Sequence, residues 1–446
     1  MTEDMSKKSV NGFSKMSKNE KLDWLTSNYM NKADTDKALF NYFQLNNDSL
    51  QKVIDGFSEN TVSNFVLPYS LAPNFLIDDE LYCIPMVIEE SSVVAAAASA
   101  AKYWQHRGGF KTTILGTTKV GQVHFKWHGS QSVIKSIYSK IESFLLGNAA
   151  AIIDNMKSRG GGIQRTELLD FTHAEPGLYQ IKVHFETCDS MGANFINSVL
   201  ENFSDSLERF FVDSPDVPDE DRDVYIIMSI LSNYTPECVV RAEVSCPVHD
   251  LGVFANGMLA EQLAEKFKTA VKIAHIDPYR ATTHNKGIFN GIDAVILATG
   301  NDFRATEAAG HTYAARHGQY SSLSFCEITD GIFRFWLDVP LAIGTVGGLT
   351  SLHPMAKKTL EILGNPSAAQ LMRIVASVGL AQNFAAIRSL VTTGIQKGHM
   401  KMHLMNILNH LSASEDECVR VFSYFDDKTV SFAGVRDYLA RIRSSI

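Results

Sequence analysis

The chain runs to 446 residues, 45% hydrophobic and 20% charged, which is too long for one core, so two or three domains are expected. Its formal charge of −8, with both signs interspersed, gives no reason to expect nucleic acid or an anionic membrane as partner. Six scattered cysteines without a C-x-x-C pair argue against a disulfide frame or a zinc site; with no secretory signal and no apolar run of membrane length, a soluble cytoplasmic protein with reduced thiols is expected.

Residues 1–60 are polar with helical spacing, and "MSKNEKLDWL" reads as a capped amphipathic start, Ser17 being followed by Glu20. From 65 to 90 the chain reads as strands separated by turns, with Asp78-Asp79 as a hairpin tip. "SSVVAAAASAAKYWQ" follows as a helix capped by Ser91 or Ser92, which puts Glu89 and Glu90 at a strand-to-helix junction. A second unit is expected from Thr112, where "TTILGTTKVGQVHFKW" alternates like strands. Helical spacing then runs to the triple glycine at 160–162. Tyr179, Ile181, Val183 and Phe185 alternate with Gln180, Lys182, His184 and Glu186, the period of a half-buried strand. "DSMGANFINSVLENF" then turns into a helix, so this unit reads as a compact α/β sandwich.

From about 225 strands return, followed by a long helix near 257–275. In "DPYRATTHNKGIFNGIDAVILATGND" (277–302), Arg280, His284 and Lys286 read as a loop. Ala294–Ala298 reads as a short buried strand closed by Gly300-Asn301, with Asp302 at the strand's end. A small-residue helix suited to close packing covers the 367–394 region. After Gly394 and Gly398 the chain reads as three short helices on a hinged tail, one with a capping box from Ser414 to Glu417 and one starting near Ser431.

Several stretches could carry chemistry, each with a plainer reading beside it. "DSMGAN" (189–194) offers a glycine and the free amides of a helix start, or a plain cap with a packing glycine. "SRGGGIQR" (158–165) offers a phosphate nest or an ordinary turn. His399 follows a glycine on the tail, where it could donate a proton or merely be solvated. No G-x-G-x-x-G follows a strand and no G-x-x-x-x-G-K-[ST] occurs, so neither the usual dinucleotide fold nor a P-loop is supported.

Taken in order, "ENTVSNFVLP" (59–68), "IPMVIEESSVVAAAASAAK" (84–102), "RGGG" (159–162), "DSMGAN", "ILSN" (230–233), the 277–302 stretch, "VGLAQNFAA" (378–386) and "GIQKGHM" (394–400) resemble the bacterial class II 3-hydroxy-3-methylglutaryl-CoA (HMG-CoA) reductases across nearly the whole chain. The resemblance implies an α+β / α/β multidomain fold. A large mixed α/β domain (1–111 and 225–393) would bind substrate and dimerise, with an inserted small non-Rossmann α/β cofactor domain (112–224) and a C-terminal helical flap (394–446). It implies a catalytic set of Glu90, Lys286, Asp302 and His399. Ser92, Arg280, Asn233, Asn290 and Gln382 would stand on the substrate side, and Asp189, Met191, Gly192 and Asn194 on the nicotinamide side. The reaction implied is reduction of HMG-CoA to mevalonate by two NAD(P)H, with no metal, in a homodimer whose sites lie at the subunit interface. In that scheme Asp302 orients and tunes Lys286.

This sequence departs from the family pattern at Ser91, Ser190, Ser63 and Ser351, the last standing where the family has a lysine. Relatives that use NADH can carry an aspartate where this chain has Ile153. With Lys157 and Arg159 close by, NADPH is expected, while Asp154 leaves NADH open. Two alternatives stand beside this reading: the same reaction run oxidatively on mevalonate, and an acyl-CoA-binding protein without redox activity.

Overall fold

In the computed structural model, which describes residues 9–30, 33–253, 257–392, 404–426, 428 and 430–444, the Ser17 hydroxyl accepts the Glu20 amide while Glu20 returns to the Ser17 amide at 2.7 Å. That capping box starts α1 (Lys18–Tyr29), which is followed by α2 (Ala33–Tyr42) and α3 (Asp48–Asp55). Strands β1 (Tyr69–Ile77) and β2 (Glu80–Val87) form a hairpin turned at Asp78 and Asp79, both at positive φ. Helix α4 (Val93–Gln105) opens at Ser92 as expected. Ser92 caps by position only, since it is left-handed at φ 74° and makes no side-chain cap bond.

Next come β3 (Lys111–Ile114), β4 (Lys119–Trp127), α5 (Gln131–Asn148), α6 (Ala150–Lys157), β5 (Gly162–Asp170), β6 (Leu178–Glu186), α7 (Ala193–Asp213) and β7 (Val224–Ser232). Four of these strands make an antiparallel sheet in the order β5-β6-β4-β7. One face packs on α5 and α7 through Val123, Ile181, Phe185, Ile141 and Phe203. A sheet with only antiparallel neighbours has no parallel crossover, which is why the dinucleotide fingerprint is missing. The other face of β6 is less open than its alternation suggested. Gln180 and His184 are buried, His184 lying 3.1 Å from Glu167 and 3.7 Å from Glu237.

The larger sheet, in the order β3-β8-β10-β9, adds β8 (Val239–Pro247), β9 (Ser324–Thr329) and β10 (Ile332–Pro340). Strand pairing crosses both expected boundaries. β3 belongs to the larger sheet although 112 was to open the small unit, and β7 is an edge strand of the small sheet although 225 was to close it. Alternation marks a strand but does not name its partner.

Against the larger sheet lie α8 (Ala260–Ile276), α10 (Phe303–Ala314) and, after the short α11 (Leu349–Leu352) and α12 (Pro354–Ile362), the long α13 (Ala368–Val391), while α9 (Pro278–Ala298) packs on α8, α13 and β2. The 277–302 stretch is thus not a loop and a strand. Asp277 caps α9 by accepting the Tyr279 amide at 2.9 Å, Pro278 occupies the first turn, and the apolar run 294–298 is the helix's last turn. A short apolar run buried on every side has no period that separates strand from helix.

Helices α9 and α13 cross closely at two glycines. A Cβ on Gly291 would stand 2.8 Å from the Val378 carbonyl oxygen, and one on Gly379 would stand 2.8 Å from Ile292. Helix α13 is long and apolar enough to cross a bilayer, but 72% of its most apolar window is buried inside the protein, as befits a core helix. The tail contributes helical residues 404–410, α14 (Glu415–Tyr424) and α15 (Phe432–Ser444). The Ser414–Glu417 capping box is present, and Leu404, Leu408, Val421, Val435 and Leu439 form a separate small core.

Candidate active site

Once 278–298 is a helix, Lys286, Asn290, Asp293 and Leu297 fall at i, i+4, i+7 and i+11, along one face. That face looks across a cavity of about 240 Å³ at Glu89 and Glu90, which the β2 end delivers before α4 begins. The Lys286 ammonium is in direct contact with the Glu90 carboxylate, and the Asn290 amide donates to the same oxygen at 3.3 Å. Both partners are substantially exposed, at 59% and 41%. An ion pair so open contributes about 0–1 kcal/mol to stability. The fold does not depend on this pair, and its partners stay free to meet a ligand.

A second cavity, of about 520 Å³, borders the first; Leu297 and Phe303 line both. Its walls include Met191, Gly192, Asn194, Asn301, Asp302 and Gly348. The 189–194 segment is fixed there by backbone pairing. Ser190 and Val346 form a parallel bridge, and the Thr345 amide donates to the Asp189 carbonyl at 2.8 Å. The approach is so close that a Cβ on Gly344 would lie 2.4 Å from the Met191 nitrogen. Gly192, at φ 91°, then opens α7 without a side-chain cap, leaving the first amides of a 21-residue helix as free donors beside the cavity.

Comparison with known proteins decides what this arrangement belongs to. A sequence model described as Hydroxymethylglutaryl-coenzyme A reductase matches residues 18–404. The chain belongs to the hydroxymethylglutaryl-coenzyme A reductase family. It is 36% identical over 394 residues to the 3-hydroxy-3-methylglutaryl-coenzyme A reductase of Archaeoglobus fulgidus, covering 88% of this chain and 86% of that one. It is 32% identical over 374 residues to the probable enzyme of Borreliella burgdorferi, covering 83% and 81%. Among solved structures, the class II reductase of Streptococcus pneumoniae bound to NADPH in open conformations superposes with a TM-score of 0.69 at 36% identity, over 86% of this chain and all of that one. The multidomain α/β architecture and the oxidoreductase class follow from that membership.

Against the expectation drawn from the reductase family, the structure brings Glu90, Lys286 and Asn290 together and separates others. Asp302 makes no ion pair with Lys286 among the described residues. It caps α10, its Oδ1 accepting the amides of Arg304 and Ala305 at 3.0 and 3.1 Å while Oδ2 lies 3.3 Å from the Arg304 guanidinium. Asp189 is exposed, and its carboxylate accepts the Ala368 amide at 2.7 Å in the first turn of α13. That bond uses one carboxylate oxygen as a helix cap.

Lys157 and Arg159 are exposed at the end of α6, and the Cys188 thiol donates to the Arg159 carbonyl at 3.2 Å. The basic pair therefore stands at the entrance to the 189–194 segment. Ile153 is a core residue, 2% exposed.

Ser92 lies beside the Glu90 junction, whereas Asn233 lines a small cleft with Met191 and Lys119. Gln382 is buried against Gly291 with its amide oxygen unpartnered. Arg280 does not line the Lys286 cavity. It is half-buried on another side of α9, with no ion-pair partner among the described residues, and burial lowers its pKa. His399 lies outside the described residues. The sequence reading missed Lys119, which is buried with its ammonium donating to Thr187 and, at 2.8 Å, to the Ser190 carbonyl. Burial lowers its pKa, and its reach fixes the segment beneath the second cavity. It also missed Asp293, Glu307 and His311 around the first cavity.

Proposed function

We propose that the chain catalyses the four-electron reduction of HMG-CoA: HMG-CoA, two NADPH and two protons give mevalonate, CoA and two NADP+, the step that commits carbon to mevalonate and isoprenoid precursors. The observation that carries this is the contact of Lys286 with Glu90 in a cavity that borders the 189–194 cavity, within a chain of the reductase family.

The residues of the second cavity fit a nicotinamide cofactor. Its volume is in the range of small-molecule sites, and its wall offers free helix amides, Asn194 and apolar Met191. NADPH, when bound, supplies the hydride at each of the two reductions. Lys157 and Arg159 would hold its extra phosphate. Buried, uncharged Ile153 offers no carboxylate to repel that phosphate, which favours NADPH over NADH.

Chemistry at the thioester needs a cation where oxyanion charge develops. The Lys286 ammonium would meet that oxygen, a contact whose removal costs about 3–4 kcal/mol of barrier. Collapse of mevaldyl-CoA releases a thiolate, and a free thiol has a pKa of about 8.5, so a positioned acid keeps CoA from returning. His399 on the tail would take that role. Glu90 would protonate the mevaldehyde oxygen in the second reduction. Asp302, between the two cavities, would contribute charge at their border while holding α10.

The lone guanidinium of Arg280 beside Tyr279, which is 89% exposed, and the exposed Phe65 and Val66 of the "ENTVSNF" stretch support a homodimer. There Arg280 would reach the carboxylate of substrate held by the partner. A cytoplasmic location agrees with the free cysteines. The test is a spectrophotometric assay with HMG-CoA and each reduced nucleotide. Two NADPH consumed per mevalonate formed, with lower kcat/KM for NADH, is expected. Consumption of one nucleotide, or of none, refutes the reading.

A further inference from the structure

The cavity that holds Glu90 and Lys286 has a second set of ionisable groups on its far side. Asp293 lies two helical turns beyond Lys286 on α9, and Glu307 faces it from α10. Both carboxyl groups line the same cavity, and Asp293 Oδ1 is buried with no hydrogen-bond partner among the described residues. A buried, unpartnered carboxyl group facing an acidic neighbour keeps its proton more readily than one in water. Glu89 adds a third negative charge from the β2 end. The remaining facing groups are Glu90, Lys286, and His311 one turn after Glu307. Lys286 is committed to Glu90. The His311 Nδ1 is 2.8 Å from the Tyr320 hydroxyl, and burial lowers its pKa. Among the described residues that line the cavity, no cation besides Lys286 faces the pair. Nor, among the described residues, does any group of three His, Cys, Asp or Glu side chains converge closely enough to hold a metal ion.

We propose that Asp293 and Glu307 are a positioning pair for the reaction centre, holding one shared proton at neutral pH and returning it to Glu90 after Glu90 has protonated the product alkoxide. The proton account balances. Glu90 gives its proton to the mevaldehyde oxygen and becomes a carboxylate; the pair then passes its proton across the cavity to Glu90. Solvent supplies a proton to the pair as it gives up its own, so the two carboxylates are never both ionised. Burial, the charge and hydrogen bond of Glu307, and the charge of Glu89 push Asp293 up to about 8, which keeps the store filled at neutral pH. A group with a pKa near the working pH is the efficient one for this task. The proposal rests on the reductase reading for its consequence, but not for the shared proton itself.

Difference infrared spectroscopy of the free, full-length protein tests that proton without any turnover. The wild type is expected to lose a protonated-carboxyl band near pH 8, and Asp293→Asn to lack it. The absence of any carboxyl titrating above about pH 6 overturns the proposal. The second arm is the pH profile of kcat with HMG-CoA. Glu307→Gln removes a negative neighbour, so the alkaline limb should move down by about one pH unit, and Asp293→Asn should lower kcat by about tenfold or more at neutral pH with little change in KM. Profiles superimposable on wild type in both variants overturn the relay. A wild-type protein inactive on HMG-CoA that still shows the band refutes the reductase reading alone.

Discussion

Asp302 and Asp293 show how differently two carboxylates of one region were legible. Asp302 could be named from the motif around it, yet the structure gives its charge to two amides and Arg304. The two uses separate by substitution. Asp302→Asn keeps a good cap and should melt like wild type, whereas Asp302→Ala should lose about 1 kcal/mol. If its charge also serves the border of the two cavities, Asp302→Asn drops kcat by about tenfold or more; wild-type turnover in Asp302→Asn would leave it a cap and nothing more.

Asp293 carried no motif meaning, because its significance is a contact between two helices. Its protonation sets a stability trend. The folded state keeps the proton up to about pH 8 while the unfolded side chain releases it near the ordinary aspartate value of 3.8. Stability from this group is therefore lost progressively as pH rises from about 4 to about 8. Asp293→Asn should flatten that decline, so its melting temperature relative to wild type rises with pH. A difference that does not change with pH would contradict the shift.

At the scale of elements, the hairpin, the capping boxes at Ser17 and Ser414 and the small sheet's alternation were readable because each is decided by neighbours in sequence. Helix α9 was not. Its start signal, Asp277 before Pro278, was present, but the apolar 294–298 run outweighed it. That error hid the face that carries Lys286, Asn290 and Asp293 together. Partner choice in the sheets was equally invisible, since hydrogen-bond partners lie far apart in the chain. The α9–α13 crossing tests how far the site depends on helix position. Gly291→Ala places a methyl against the Val378 carbonyl and should cost about 1–3 kcal/mol. Because α9 carries Lys286, kcat should fall as well. An unchanged melting temperature would mean that the helices separate freely.

For the molecule as a whole, two antiparallel sheets with their helices and a tail with its own small core meet the demand that 446 residues form several cores. The Glu90–Lys286 cavity and the 189–194 cavity adjoin, the first walled by α9 and α10 and the second by the 189–194 segment, the 344–350 stretch and the start of α10. Among the described residues Arg280 has no ion-pair partner, which agrees with the proposed two-fold assembly.

The claim under all of this is that the Lys286 ammonium, held by Glu90, is where the reaction's charge develops. Single-turnover oxidation of NADPH by Lys286→Ala, in protein first shown by calorimetry to bind CoA as wild type does, tests it most directly. The account predicts retained CoA binding with NADPH oxidation slowed by at least about a hundredfold. Oxidation within about tenfold of wild type would contradict it.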